Sequence, residues 1–129
     1  MAPKGIVVRP SSYSVKEVID RLQTFLVEHG ATMYARIDQQ SEANKAGQTL
    51  LPLEFLLFGN PKAGGPVMAE NPLVALDLPL KVIAWEDAHH QVWVAYNDAE
   101  YITERYSLSP NLHSPFALDG VIDSILKKG

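Results

Sequence analysis

The stretch "SVKEVIDRLQTFLVEHG" (residues 14–30) constrains this chain most. Val15, Val18, Ile19, Leu22, Phe25 and Leu26 recur at the helical period and form one apolar stripe. Ser14 and Glu17 have the spacing of a capping box, in which each side chain satisfies an amide of the first turn. Gly30 stands where a left-handed residue closes a helix. A helix this one-sided has to bury its stripe on another layer, so the rest of the chain must supply an apolar surface.

The strand-like segments supply it. "IVV" (residues 6–8) reads as a short strand ended by Pro10, and "TMYARID" (32–38) alternates apolar and polar residues as a half-buried strand does. "LEFLLFG" (53–59) is apolar on both faces and reads as a central strand. "KVIAWED" (81–87) and "QVWVAYND" (91–98) form two more strands joined by "AHH" as a hairpin. Between and after them, "QQSEANKAG" (39–47) reads as a short solvated helix. "PVMAENP" (66–72) is a helical turn with Pro66 at its first position. "LVALDLPL" is irregular or briefly helical between Pro72 and Pro79. Asp98 caps a helix through "AEYITERY", and "ALDGVIDSILKKG" closes the chain with an amphipathic helix, its lysines at the end the helix dipole favours. Strands and helices interleave as β-α-β-α-β-α-β-β-α-α. The expected fold is therefore an α/β (α+β) two-layer sandwich, a mixed sheet packed against helices, with residues 1–129 forming a single domain.

Composition limits what such a domain does. The chain has 129 residues, 47% of them hydrophobic, enough to bury a real core. A net charge of −4 lacks the basic footprint of a dedicated nucleic-acid binder. With no cysteine there is no disulfide, no thiolate metal site and no cysteine nucleophile. The most apolar run, "TLLPLEFLLFG", is too short to span a bilayer and contains Pro52 and Glu54, and the first residues lack an export-type apolar segment. The expectation is a soluble, cytoplasmic protein with neither nucleic acid nor membrane as partner.

No catalytic motif stands out. "LLFGNPKAGGPVM" (56–68) offers a Gly/Pro loop with one lysine, but Lys62 precedes Gly64–Gly65 and no Ser or Thr follows, so a phosphate loop fails. Asn60-Pro61 reads instead as a turn former, with the glycines supplying positive φ. Serine-nucleophile motifs and metal-ligand spacings are absent, and adjacent His89 and His90 point to opposite sides of an extended strand. No cofactor or metal is expected.

"LEFLLFGNPKAGGPVM", then "ALDLPLKVIAWED", then "VWVAYND" closely resemble the bacterial and archaeal family of domain of unknown function 302. "YSVKEVIDRLQTFLVEHG" and "ARID" stand where that family has its first helix and second strand. The resemblance implies a compact two-layer α/β domain paired as a homodimer, and it implies no activity.

Two functional readings follow. One is a homodimeric binding or accessory module: Trp85, Trp93, Tyr96 and Tyr101 cluster on or near the hairpin, and the two tryptophans suit a subunit interface, where such residues concentrate, as well as burial in the core or stacking on a planar ligand. The alternative is an enzyme or small-anion binder. A carboxylate within an apolar strand has to find a cation, so Glu54 calls for Arg36 or Lys81. The candidate pocket comprises Arg36, Asp38, Glu54, Asn60, Lys62, Asp77 and Lys81, with Glu54 as base and the cations holding a small anionic ligand. The competing structural readings are an ion pair for Glu54, a local amide bond for Asp77 and a turn for Asn60.

Overall fold

A computed structural model describes residues 2–127. The elements run β1 (Ile6–Ser11), α1 (Val15–Glu28), β2 (Thr32–Asp38), α2 (Gln39–Lys45), β3 (Leu53–Gly59), α3 (Pro61–Glu70), β4 (Leu80–Glu86), β5 (Val92–Asn97), α4 (Ala99–Arg105) and α5 (Asp119–Leu126). A 3-10 helix, Pro72–Asp77, links α3 to β4. The five strands make one sheet in the order β1-β5-β4-β3-β2. The two-layer α+β sandwich holds. The sheet itself is antiparallel throughout rather than mixed. The physical reason lies in the crossover through α1, which makes β1 and β2 parallel but drops them at opposite edges. Three other strands fill the gap, so the parallel pair never touches.

Local chemistry sets the helices. Ser14 and Glu17 form both bonds of the capping box, and Gly30 takes φ +79 just beyond the helix end. The α1 stripe then lies across the sheet beside α5. Val18, Ile19 and Leu22 are fully buried against Leu56, Val82, Ala84 and Val94 of the sheet and Ile122 of α5. Each such side chain contributes about 2 kcal/mol, and truncating Leu22 to Ala costs about 2–5 kcal/mol. A second cluster of Val67, Val74, Ile102, Tyr106 and Phe116 secures α3 and α4. Hydrogen bonds fasten α5 from several sides. Tyr96 donates to Asp119, Arg9 makes a close ion pair with Asp123, and Arg21 Nε donates to the Ile125 carbonyl at 2.7 Å. The last turn of the expected C-terminal helix bears Lys127 as its cap, and Lys128 lies outside the described residues.

Three local expectations are corrected. β1 continues through Pro10 to Ser11, because an edge strand has one side without ladder partners and tolerates proline's missing N–H. α3 starts at Pro61, five residues before Pro66, since Asn60 caps it by accepting the Lys62 amide at 3.0 Å and proline suits the first position. Gly64 and Gly65 are helical and do not adopt positive φ, so the Gly/Pro loop is the first turn of a helix and not an open corner. Among the described residues no helix is long and apolar enough to cross a membrane.

Candidate functional site

Glu54 has found its cation. Its carboxylate lies on the helix-facing side of β3, 8% exposed as a residue, and accepts from Arg36 Nε at 3.1 Å. Arg36 sits on the neighbouring edge strand and also donates through Nη1 to Asp20 at 2.7 Å and Gln23 at 3.1 Å, both on α1. Burial works against the guanidinium's charge, but the bonds to Asp20 and Glu54 outweigh it and hold the Arg36 pKa above its ordinary value. Nη2 is buried and has no hydrogen-bond partner among the described residues. Chemically this is an ion-pair staple between β2, β3 and α1.

Of the other predicted site residues only Asp38 comes near it, directly across from Glu54 on β2 and lining one recess with it, while Asp77 and Lys81 lie elsewhere and share a narrow recess beside Phe116. Lys81 projects from the opposite face of the sheet, its ammonium 4.6 Å from the Phe55 ring centroid. The register explains the separation: Glu54 pairs with Ala84 and Lys81 with Leu57, so their side chains take alternate faces. Asp77 accepts from Arg105 at 3.0 Å and from the Tyr106 hydroxyl, tying the 3-10 helix to the end of α4. Burial first, and the bond to Asp77 second, raise the Tyr106 pKa. Asp38 caps α2 through the Ser41 amide at 2.9 Å, Asn60 caps α3, and Lys62 is exposed. The acid/base pocket joining Glu54, Lys81, Arg36 and Asp77 is therefore corrected: strand parity sends Glu54 and Lys81 apart, and Asp77 is occupied elsewhere. His89 and His90 lie in the exposed hairpin turn, His90 beside Glu86 at 3.1 Å.

What the geometry does assemble is apolar. Helices α1 and α5 cover one face of the sheet, and the other carries three rows of outward side chains. The middle row runs Val8, Ala95, Ile83, Phe55 and Ile37 across all five strands. The row toward the β4–β5 turn runs Pro10, Trp93, Trp85 and Leu53, and the row at the other end holds Ile6, Asn97, Lys81, Leu57 and Ala35. Ile6, Val8, Ile83, Trp85, Trp93 and Ala95, with Ala2 and Pro3 as a wall, enclose a groove of about 600 Å³. Trp85 and Trp93 are direct cross-strand neighbours and only half-buried. The Trp93 indole donates to Asp87 Oδ2 at 2.9 Å, which with the Gln91 and His89 amides pulls the Asp87 pKa below its usual value. The tryptophans are conspicuous in the sequence, whereas Ile6, Val8 and Ile83 join them on one face only through the strand register. The signal available was that β4 and β5 are apolar at consecutive positions, which marks a strand wanting cover on both sides.

Comparison with known proteins agrees with this architecture. A solved structure titled as an uncharacterized conserved protein DUF302 from Bacillus stearothermophilus superposes with a TM-score of 0.77, covering 96% of this chain and 97% of its own at 19% identity, a likeness of fold. A protein of Brucella suis biovar 1 (strain 1330) named fluoride-specific ion channel FluC 1 is 35% identical over 118 residues, which are 92% of this chain and 46% of that protein. A namesake from Brucella abortus biovar 1 (strain 9-941) matches with the same identity over 43% of its length. The chain thus spans less than half the length of these relatives. With a family model matching residues 7–125, the chain belongs to the family of domain of unknown function DUF302.

Proposed function

We propose that this domain is a homodimeric binding module, accessory to other activities, whose subunit contact is the open face of its sheet. The observation that carries the reading is the row structure of that face: Val8, Ile37, Ile83, Trp85 and Trp93 are half-buried around the buried Ala95 and Phe55, and neither α1 nor α5 packs over them. Five strands about 4.8 Å apart, presenting about 20 Å of strand length, give a footprint of about 500 Å² per copy. Two copies then cover on the order of 1,000 Å², the size at which specific interfaces begin. Two sheets packed this way form a sandwich with a common core about 10 Å thick. The accessory part of the reading draws on the relatives. A domain that makes up 46% of a protein named fluoride-specific ion channel is a unit carried alongside other machinery.

The test is light scattering after size exclusion over a wide concentration range, with Ile83→Asp as the perturbing variant. The expected result is a dimer that becomes a folded monomer on substitution, because Ile83 lies outside the helix-covered core. A strict monomer at every concentration overturns the reading.

A further inference from the structure

Resting on the reading that a second copy covers the open face, the geometry points to one arrangement of the pair: a two-fold axis lying across the strands at Ile83, with Lys81 of each subunit set over the partner's Trp85.

Two copies whose sheets meet face to face with their strands aligned are related by a two-fold axis in the plane between them, running close to the strands or close to perpendicular to them. β4 is the middle strand of five and Ile83 the middle outward residue of the three on it, Lys81, Ile83 and Trp85. Either axis therefore passes by Ile83, and the two differ in what happens at the ends of the strand.

An axis along the strands keeps each row opposite itself. Lys81 then faces the partner's Lys81 at about the sheet spacing of 10 Å, inside an apolar contact, and like charges there oppose association. An axis across the strands inverts the rows. Lys81 then faces the partner's Trp85, and Ile83 still faces the partner's Ile83. The end of the face bearing Lys81 meets the end bearing Asp87, which is the acceptor for the Trp93 indole, so opposite charges come together. Lys81 already rests over an aromatic ring within its own chain, that of Phe55 at 4.6 Å. A tryptophan above it encloses the ammonium between two π faces, and tryptophan is the strongest cation–π acceptor among side chains. The roughly 30° rotation between packed sheets shifts positions 81 and 85, each about 7 Å from the axis, by about 4 Å, less than the reach of a lysine side chain, which leaves this pairing in place.

The chain contains no cysteine, so an introduced thiol finds partners only on another copy. Single variants Ile83→Cys, Lys81→Cys and Trp85→Cys are treated with a short bis-maleimide, and Lys81→Cys is also mixed with Trp85→Cys. With the axis across the strands, positions 81 and 85 of opposite copies are about 10 Å apart and the two copies of position 81 about 17 Å. The expected products are a cross-linked Ile83→Cys dimer, a cross-linked mixed dimer, and little cross-linking of Lys81→Cys alone. The mixed dimer retains one intact contact between Lys81 and the partner's Trp85, so it reports the native arrangement. If Lys81→Cys alone cross-links as well as the mixture, the axis is wrong while the dimer stands. If light scattering gives a monomer, or a dimer whose Ile83→Cys form does not cross-link, the open-face reading falls as well.

Discussion

Arg36 and Glu54 are coupled unequally, and a mutant cycle measures the inequality. In Glu54→Gln, Arg36 loses a charged acceptor at 3.1 Å but keeps Asp20 at 2.7 Å and Gln23 at 3.1 Å. The guanidinium stays paired, and the side chain is 27% exposed, so the loss is about 1 kcal/mol. In Arg36→Met the carboxylate of Glu54, 11% exposed, is left on an apolar sheet with no other cation recorded against it among the described residues. Breaking a buried pair from that side costs about 3–5 kcal/mol, and the partial exposure here puts the expectation at about 3 kcal/mol. The double variant Arg36→Met/Glu54→Gln removes the orphaned charge, so it is more stable than Arg36→Met by about 1 kcal/mol and the cycle is non-additive. Urea titrations at pH 7 and one fixed protein concentration give the four free energies. Additivity within about 0.5 kcal/mol, or a Glu54→Gln loss as large as that of Arg36→Met, refutes the argument that burial of Glu54 makes its partner indispensable.

Three further outcomes are expected. Burial and the bond to Asp119 push the Tyr96 pKa up to about 12, above its unfolded value of 10.0, so the fold favours the neutral phenol. That contribution is complete below pH 10 and is lost as pH rises toward 12. Tyr96→Phe therefore flattens the alkaline decline of the melting temperature relative to the parent. Ser14→Ala removes the acceptor for the Glu17 amide at 3.2 Å and lowers stability by about 1 kcal/mol in urea titration. Gly5 has φ +85 and a Cβ there lands on the Tyr101 ring, so Gly5→Ala costs about 1–3 kcal/mol. Gly5→Ala/Tyr101→Ala relieves the overlap but not the backbone strain, and calorimetry shows no more than partial recovery if the steric account holds.

The order of elements was legible residue by residue, because what sets it acts within a few positions of the chain. Ser14 and Glu17 start α1 by bonding to each other's amides, Gly30 ends it, and Asp98 caps α4, each with atoms close in sequence. The need for a partner at Glu54 was legible too, since a carboxylate between Leu53 and Phe55 has to be paired wherever the strand goes. Which cation answers was decided by the tertiary structure. Alternation separates neighbours on one strand, but whether residues on different strands share a face depends on register, and register is fixed by how whole strands pack. The register placed Arg36 beside Glu54 and turned Lys81 to the other side, so a site expected from residue types dissolved into a staple and an apolar face. The same packing put α1 and α5 on one side, leaving Trp85 and Trp93 on the other, a distinction that no stretch of sequence carries by itself.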